Sequence, residues 1–205
     1  MEKKYNFFIF DLDGVIFDSK KNMSLSWKAT KYKFRLKASF KTYFQNIGKP
    51  FDEIMKSLKI QPSKNIANCY KENSLKHISK IKLYPNVIKI LNLLKKKKIK
   101  FSIVTSKDRV RTLFLLNKFK IKPYSVHCPR RNILGKPNPD MLVSAIKKSR
   151  IKNIQTCYVG DTHIDRKAAK NANIDFIFAN YGYEFQKMPK SITSINNFKD
   201  LKSYM

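Results

Sequence analysis

The chain has 205 residues, of which 42% are hydrophobic and 13% aromatic, which describes a globular protein with a buried core rather than a disordered one. Its formal net charge of +30 comes from 44 basic and 14 acidic residues, and raises nucleic acid, anionic membrane and phosphorylated substrates as partners. No stretch approaches the ~18 apolar residues of a membrane helix, and three cysteines without CxxC pairing (Cys69, Cys128, Cys157) suggest reduced thiols in a cytoplasm more than a disulfide framework.

The chain opens on "FFIF", an apolar run that reads as a buried strand and is broken at Asp11 and Asp13, too early for the h-region of a signal peptide. Residues 17 to about 81 follow with "LSWKATKYKF", "FKTYFQNIG", "PFDEIMKSL" and "SKNIANCYKENSLKHISKI", all helical in period and none a convincing strand. From residue 84 the pattern alternates. "LYPNVIKILNLLKKKK" is a helix with Pro85 at its start, "KFSIVTSKD" a strand, "RVRTLFLLNKF" a helix and "YSVHC" a strand. Then come the helix "PNPDMLVSAIKKS", the strand "IQTCYVGD", the helix "HIDRKAAKNA", the strand "IDFIFANYG" and a last short helix, "FKDLKSYM". Continuous apolar strands separated by helices point to a parallel sheet covered on both faces. The helical block after the first strand makes a second, smaller domain.

The charge is read as compositional. The 37 lysines, 17 asparagines and 22 isoleucines stand against only 7 arginines and 5 glycines, a bias that an AT-rich genome produces. The lysines are dispersed, and the one dense run, "LLKKKKIK", sits at a helix C-terminus where cations suit the macrodipole. Nucleic acid is therefore not expected as the partner despite the +30 charge, nor is a membrane.

Four of the few acids fall where an open α/β sheet binds its ligands, at the carboxyl ends of strands. Asp11 and Asp13 follow the first strand, Asp161 follows the strand "CYVG", and Asp165 comes one helical turn later. Thr105 and Ser106 end the strand "SIVTS", and Lys136 precedes a helix. Clustered carboxylates repel one another and take up protons unless cations neutralise them. Oxygen ligands of this kind suit Mg²⁺, held by one or two carboxylates with substrate phosphate and water. With a lysine and a hydroxyl added, the site is built to receive a phosphoryl group. One carboxylate can attack phosphorus, giving an aspartyl-phosphate, and a second two residues away can protonate the leaving oxygen and later activate water.

Four motifs in order, "DLDGV" at 11–15, "VTS" at 104–106, "GKPNPD" at 135–140 and "GDTHID" at 160–165, resemble the haloacid dehalogenase-like hydrolase superfamily. Within it the chain looks like the phosphoglycolate phosphatase and β-phosphoglucomutase-like branch. The resemblance implies a Rossmann-like three-layer α/β core, formed by residues 1–16 and 82–205, with an inserted all-helical cap at 17–81. It implies that Asp11 is nucleophile and metal ligand, and that Asp13 is the general acid/base and binds Mg²⁺ through its backbone carbonyl. Thr105 and Ser106 would bind the phosphoryl group, Lys136 would stabilise its developing charge, and Asp161 and Asp165 would hold or support the metal. "NIGKPFDEI" resembles the cap loop that contacts the leaving part of the substrate, making Gly48 and Lys49 candidates for substrate binding. In "ANYGYE", Gly182 would permit a tight turn.

The expected activity is a Mg²⁺-dependent phosphatase acting on a small phosphomonoester, phosphoglycolate or a sugar phosphate. A phosphomutase of the β-phosphoglucomutase type shares every motif, and a basic nucleic-acid-binding protein or nucleic acid end phosphatase is the reading from another class. A dehalogenase or a phosphonate hydrolase would give Asp13 no task.

Overall fold

The computed structural model describes residues 3–130, 133–184, 188–189 and 191–205. The first strand, β1 (Phe7–Phe10), is followed by the two-residue β2 (Phe17–Asp18). Four helices come next: α1 (Lys20–Lys33), α2 (Phe40–Phe44), α3 (Phe51–Ser57) and α4 (Lys64–Lys76). A short β3 (Lys82–Leu83) leads into the alternating part. There α5 (Val87–Lys96), β4 (Lys100–Val104), α6 (Arg109–Lys118), β5 (Ser125–His127) and α7 (Asp140–Ser149) alternate. They are followed by β6 (Thr156–Gly160), α8 (His163–Asn171), β7 (Asp175–Ala179) and β8 (Ser194–Ile195). The tail, expected as a helix, is a 3₁₀ helix at Phe198–Tyr204.

Six strands form one sheet in the order β5-β4-β1-β6-β7-β8, every pair parallel. Strand β1 is buried on both faces and its side chains alternate between two cores. Phe8 and Phe10 join the cluster that holds Leu91 and Leu94 of α5, Leu115 of α6 and Phe198 of the tail. Phe7 and Ile9 join Leu142 of α7 and Ala168 of α8 on the other face. Period-2 alternation in an all-apolar strand thus builds the three layers.

The helices α1–α4 carry a core of their own. Trp27 stacks on Tyr43 with ring centroids 4.4 Å apart, and Ile54, Met55, Ile66 and Tyr70 complete the cluster. Residues 17–81 are not wholly helical: β2 pairs antiparallel with β3, Phe17 opposite Leu83, at the point where the chain leaves and re-enters the main sheet. A two-residue strand leaves no periodicity in the sequence, and the same reason hides β8.

Candidate active site

β1 lies between β4 and β6, and the register places Phe10 opposite both Ile103 and Val159. The residues just beyond three adjacent strands therefore share one rim: Asp11 after β1, Thr105 after β4, Asp161 after β6. The Asp11 amide continues the ladder by donating to the Val159 carbonyl at 2.9 Å. Behind it Gly14 adopts φ +89°, and a Cβ there would fall 2.0 Å from Asp161 Oδ2, so the turn must be glycine on two counts.

Asp11, Asp161 and Asp165 are buried, and an oxygen of each lies within 4.8 Å of the others. Asp165 is saturated by protein donors. Its Oδ1 accepts from Lys136 Nζ (2.6 Å) and the Tyr158 hydroxyl (2.7 Å), and its Oδ2 from the Thr162 amide (3.1 Å) and hydroxyl (2.6 Å). With Thr162 it makes the capping box that starts α8. Asp161 accepts from the Tyr183 amide through Oδ2 (2.7 Å), while its Oδ1 and Asp11 Oδ1 are buried without a well-formed hydrogen bond. Lys136 Nζ stands 3.0 Å from Asp11 Oδ1, in ion-pair but not hydrogen-bond geometry.

Burial, then repulsion by neighbouring acids, pushes the Asp11 carboxyl up to about 7 against the pull of Lys136. The same causes hold Asp161 well above the usual carboxylate range. Burial also works against Asp165, but Lys136, Thr162 and Tyr158 overcome it and keep that carboxyl low. A cluster with two acceptors lacking donors and two acids resisting ionisation is deficient in positive charge. Hard oxygen donors so arranged fit a divalent cation such as Mg²⁺, with Asp11 and Asp161 as the groups that would hold it.

Asp13 stands apart from this cluster. Its Oδ1 accepts from Ser19 Oγ, and Lys107 Nζ lies 2.9 Å from its Oδ2. Ser19 is the N-cap residue of α1 yet makes no capping hydrogen bond, because its hydroxyl is committed to Asp13. Thr105 is buried and its Oγ1 accepts from the Lys107 amide (3.2 Å). Ser106 Oγ reaches the helical block, donating to the Gly48 carbonyl at 2.6 Å. Gly48, with φ +96°, packs against α8, where a Cβ would meet Thr162 Oγ1 at 2.9 Å. Lys49 Nζ is held by Asn46 (2.9 Å) and Ser57 (3.1 Å).

Asp11, Asp13, Thr105, Ser106, Lys136, Gly48 and Lys49 line one cavity of about 60 Å³ between the sheet and the helical block, and Asp161 and Asp165 adjoin it through Asp11. Sequence reasoning missed Lys107 and Arg111, which also line it. Lys107 follows "VTS" directly and Arg111 lies in the first turn of α6, whose N-cap is Asp108, so basic residues flanking that helix start were the available signal. Tyr158 and Tyr183, which brace Asp165 and Asp161, left none. Gly182 does sit in a turn, its amide bonded to the Ala179 carbonyl (3.1 Å). The tighter requirement there is a Cβ position 2.2 Å from the Cβ of Asp161.

A family model described as haloacid dehalogenase-like hydrolase matches residues 8–179. The chain belongs to that family. A provisionally named pyrophosphatase PpaX of Clostridium perfringens is 30% identical over 169 residues, 80% of this chain and 78% of that protein. A phosphoglycolate phosphatase of Pseudomonas fluorescens is 32% identical over 103 residues, but the match spans 49% of this chain and only 38% of that protein. A solved structure from Lactobacillus plantarum, provisionally named phosphoglycolate phosphatase, has a TM-score of 0.88 at 20% identity and covers 98% of this chain and 100% of that one. That likeness speaks for the fold. Among the described residues, no helix is long and apolar enough to cross a membrane.

Proposed function

We propose that this hydrolase is a Mg²⁺-dependent phosphatase that cleaves a small phosphomonoester through an aspartyl-phosphate on Asp11. The observation that carries the reading is the pair of buried carboxylate oxygens without donors, on Asp11 and Asp161, set beside Lys136 at the ends of adjacent strands. Bound there, Mg²⁺ would neutralise the carboxylates and draw charge from the phosphoryl oxygens. Asp11, ionised, attacks phosphorus: its oxygen–phosphorus bond forms as the bond to the leaving oxygen breaks. Asp13, held by Ser19 and Lys107, gives that oxygen a proton. It then takes one from the water that attacks phosphorus and frees Asp11. Lys136 places positive charge beside the forming bond, and Thr105 offers its hydroxyl to a phosphoryl oxygen. Asp165, with both oxygens occupied, acts through Lys136 by fixing its ammonium.

In this proposal residues 17–81 are the cap and residues 1–16 and 82–205 the core. Gly48 and Lys49 face the leaving group, and the small cavity supports a small substrate rather than a polymer. Three unpaired, buried thiols support a cytoplasmic setting.

The test is phosphate release from a panel of small phosphomonoesters with Mg²⁺ and with EDTA. The proteins compared are wild type, Asp11→Asn and Asp13→Asn. Release that needs Mg²⁺ and vanishes in Asp11→Asn is expected, with phosphoenzyme still trappable in Asp13→Asn from an activated substrate. Turnover surviving in Asp11→Asn would end the assignment. Silence of wild type, with label retained on Asp11, would move it to phosphomutase chemistry.

A further inference from the structure

The carboxyl of Asp13 is gripped from two sides. Lys107, part of the cavity lining, lies 2.9 Å from its Oδ2. Ser19 is fully buried, is not part of that lining, and donates to Oδ1 from behind. It stands where β2 hands the chain to α1, at the crossing from the sheet into the helical block, and is the N-cap residue of α1. A serine at that position ordinarily turns its hydroxyl to the free amides of the first helical turn. Here the hydroxyl is turned away from α1 and given to Asp13, so helix capping is forgone for the placement of one carboxylate.

Tyr183 in turn fixes Ser19. From the loop after β7 its hydroxyl enters the crossing and accepts from the Ser19 amide at 2.6 Å. The same oxygen lies 3.5 Å from Ser19 Oγ, 3.2 Å from Asp18 Oδ1 and 3.3 Å from the Phe17 carbonyl, so three consecutive residues converge on one phenol. The side chain is buried, with Met23 of α1 in its cluster and the Phe44 ring of α2 centred 5.0 Å away. Its backbone amide meanwhile donates to Asp161 Oδ2. Tyr183 therefore has two separable tasks: its amide serves an acid of the metal-binding cluster, and its hydroxyl serves the acid that moves protons. Removing the hydroxyl would deprive the Ser19 amide of its acceptor in a buried place, and a shift of Ser19 to find another would carry Asp13 with it.

We propose that Tyr183 and Ser19 are positioning residues for proton transfer: the Tyr183 hydroxyl fixes Ser19, and the Ser19 hydroxyl aims Asp13 at the leaving oxygen. Neither residue lines the cavity that receives the phosphoryl group, so the pair acts on the step that needs a proton and not on the attack by Asp11. The inference rests on the phosphatase reading for the step Asp13 performs, but not for the hold on its carboxyl.

Two small substrates separate the roles. The alkoxide leaving from 2-hydroxyethyl phosphate needs a proton and the carboxylate leaving from acetyl phosphate does not, and kcat/KM reports only the steps through departure of that group. Tyr183→Phe and Ser19→Ala should each lower kcat/KM for 2-hydroxyethyl phosphate ~10-fold more than for acetyl phosphate, part of the ~10²-fold or more that a placed proton donor contributes. The ratio should move toward that of Asp13→Asn, and adding Tyr183→Phe to Asp13→Asn should move it no further. Equal losses on both substrates, or additive losses in the double variant, would overturn the proposal. So would a raised Mg²⁺ requirement in Tyr183→Phe, which keeps the amide on Asp161: it would assign the loss to the metal instead. Crystal structures of wild type and Tyr183→Phe read the hold on Asp13 without turnover, with the carboxyl expected to part from Ser19 in the variant. A wild type that cleaves neither substrate would overturn the phosphatase reading alone; an Asp13 unmoved in Tyr183→Phe would overturn the positioning roles. Thermal midpoints of each variant separate a changed ratio from a collapsed fold.

Discussion

Replacing Asp11 by Asn should make the metal-free protein more stable while destroying its chemistry. In the folded state burial and the nearby acids hold the Asp11 carboxyl at about 7 instead of 3.8. Below pH 3.8 the group is protonated in both states and contributes nothing. Between 3.8 and about 7 the unfolded chain releases the proton and the folded one keeps it, so stability falls as pH rises, and above 7 the loss is complete. The interval corresponds to roughly 4 kcal/mol at about 1.4 kcal/mol per pH unit. Asn keeps the shape and removes the charge, and the pull of Lys136 is already contained in the value of about 7; allowing for the poorer fit of an amide in place of a protonated carboxyl, at least about 2 kcal/mol should remain as gain. For a chain of this size that is a rise of ~4–8 °C in the midpoint of thermal unfolding. The assay is thermal unfolding followed by circular dichroism in EDTA, wild type against Asp11→Asn, at pH 8.5 and at pH 5. At pH 5 the advantage should shrink to less than half, and Mg²⁺ at pH 8.5 should close the gap by stabilising wild type selectively. A variant no more stable than wild type at pH 8.5, or a gap indifferent to pH, would refute the picture of an acid cluster lacking a cation.

The other predictions concern the groups around that cluster. Mg²⁺ binding should tighten from pH 6 to pH 8 and release protons, because Asp11 and Asp161 are both held above the usual carboxylate range. Calorimetry in buffers of different ionisation enthalpy reads both, and a pH-independent affinity would contradict it. Lys136→Met strands Asp165 and Asp11 without their cation and should cost about 3–5 kcal/mol; urea unfolding that shows a loss below ~1 kcal/mol would mean Lys136 does not neutralise them. Gly182→Ala drives a Cβ to within 2.2 Å of the Asp161 Cβ and should cost about 1–3 kcal/mol. It should also raise the Mg²⁺ concentration needed for half-maximal activity, and an unchanged Mg²⁺ requirement would show that Asp161 does not set metal affinity.

Much of this architecture was legible because its signals are local. The apolar strands, the helical periods of α5 and α7, and the acids immediately after β1 and β6 need no tertiary knowledge, and the parallel topology then brings them to one rim. What stayed hidden depends on distance through space. The pairing of Asp13 with Lys107, the Tyr158 hydroxyl between Lys136 and Asp165, and the Tyr183 amide on Asp161 join residues whose separation in the chain carries no pattern. Gly182 was anticipated for the turn it makes, yet its closest constraint is the neighbouring Asp161.

The charge shows the same division most clearly. Composition offers 37 lysines with nothing to rank them, and dispersal along the chain argues only that most are solvated. Burial ranks them. Every basic side chain buried among the described residues faces the same small cavity, and the buried acids Asp11, Asp161 and Asp165 crowd the rim beside it. Desolvating a charge is too costly to occur by compositional drift, so these groups require a specific account even if the surface lysines do not. Lys107 and Lys136 are accounted for by the acids they touch. Arg111 is accounted for by Asp108, which accepts from its Nε, and by the Tyr70 ring of the helical block above its guanidinium.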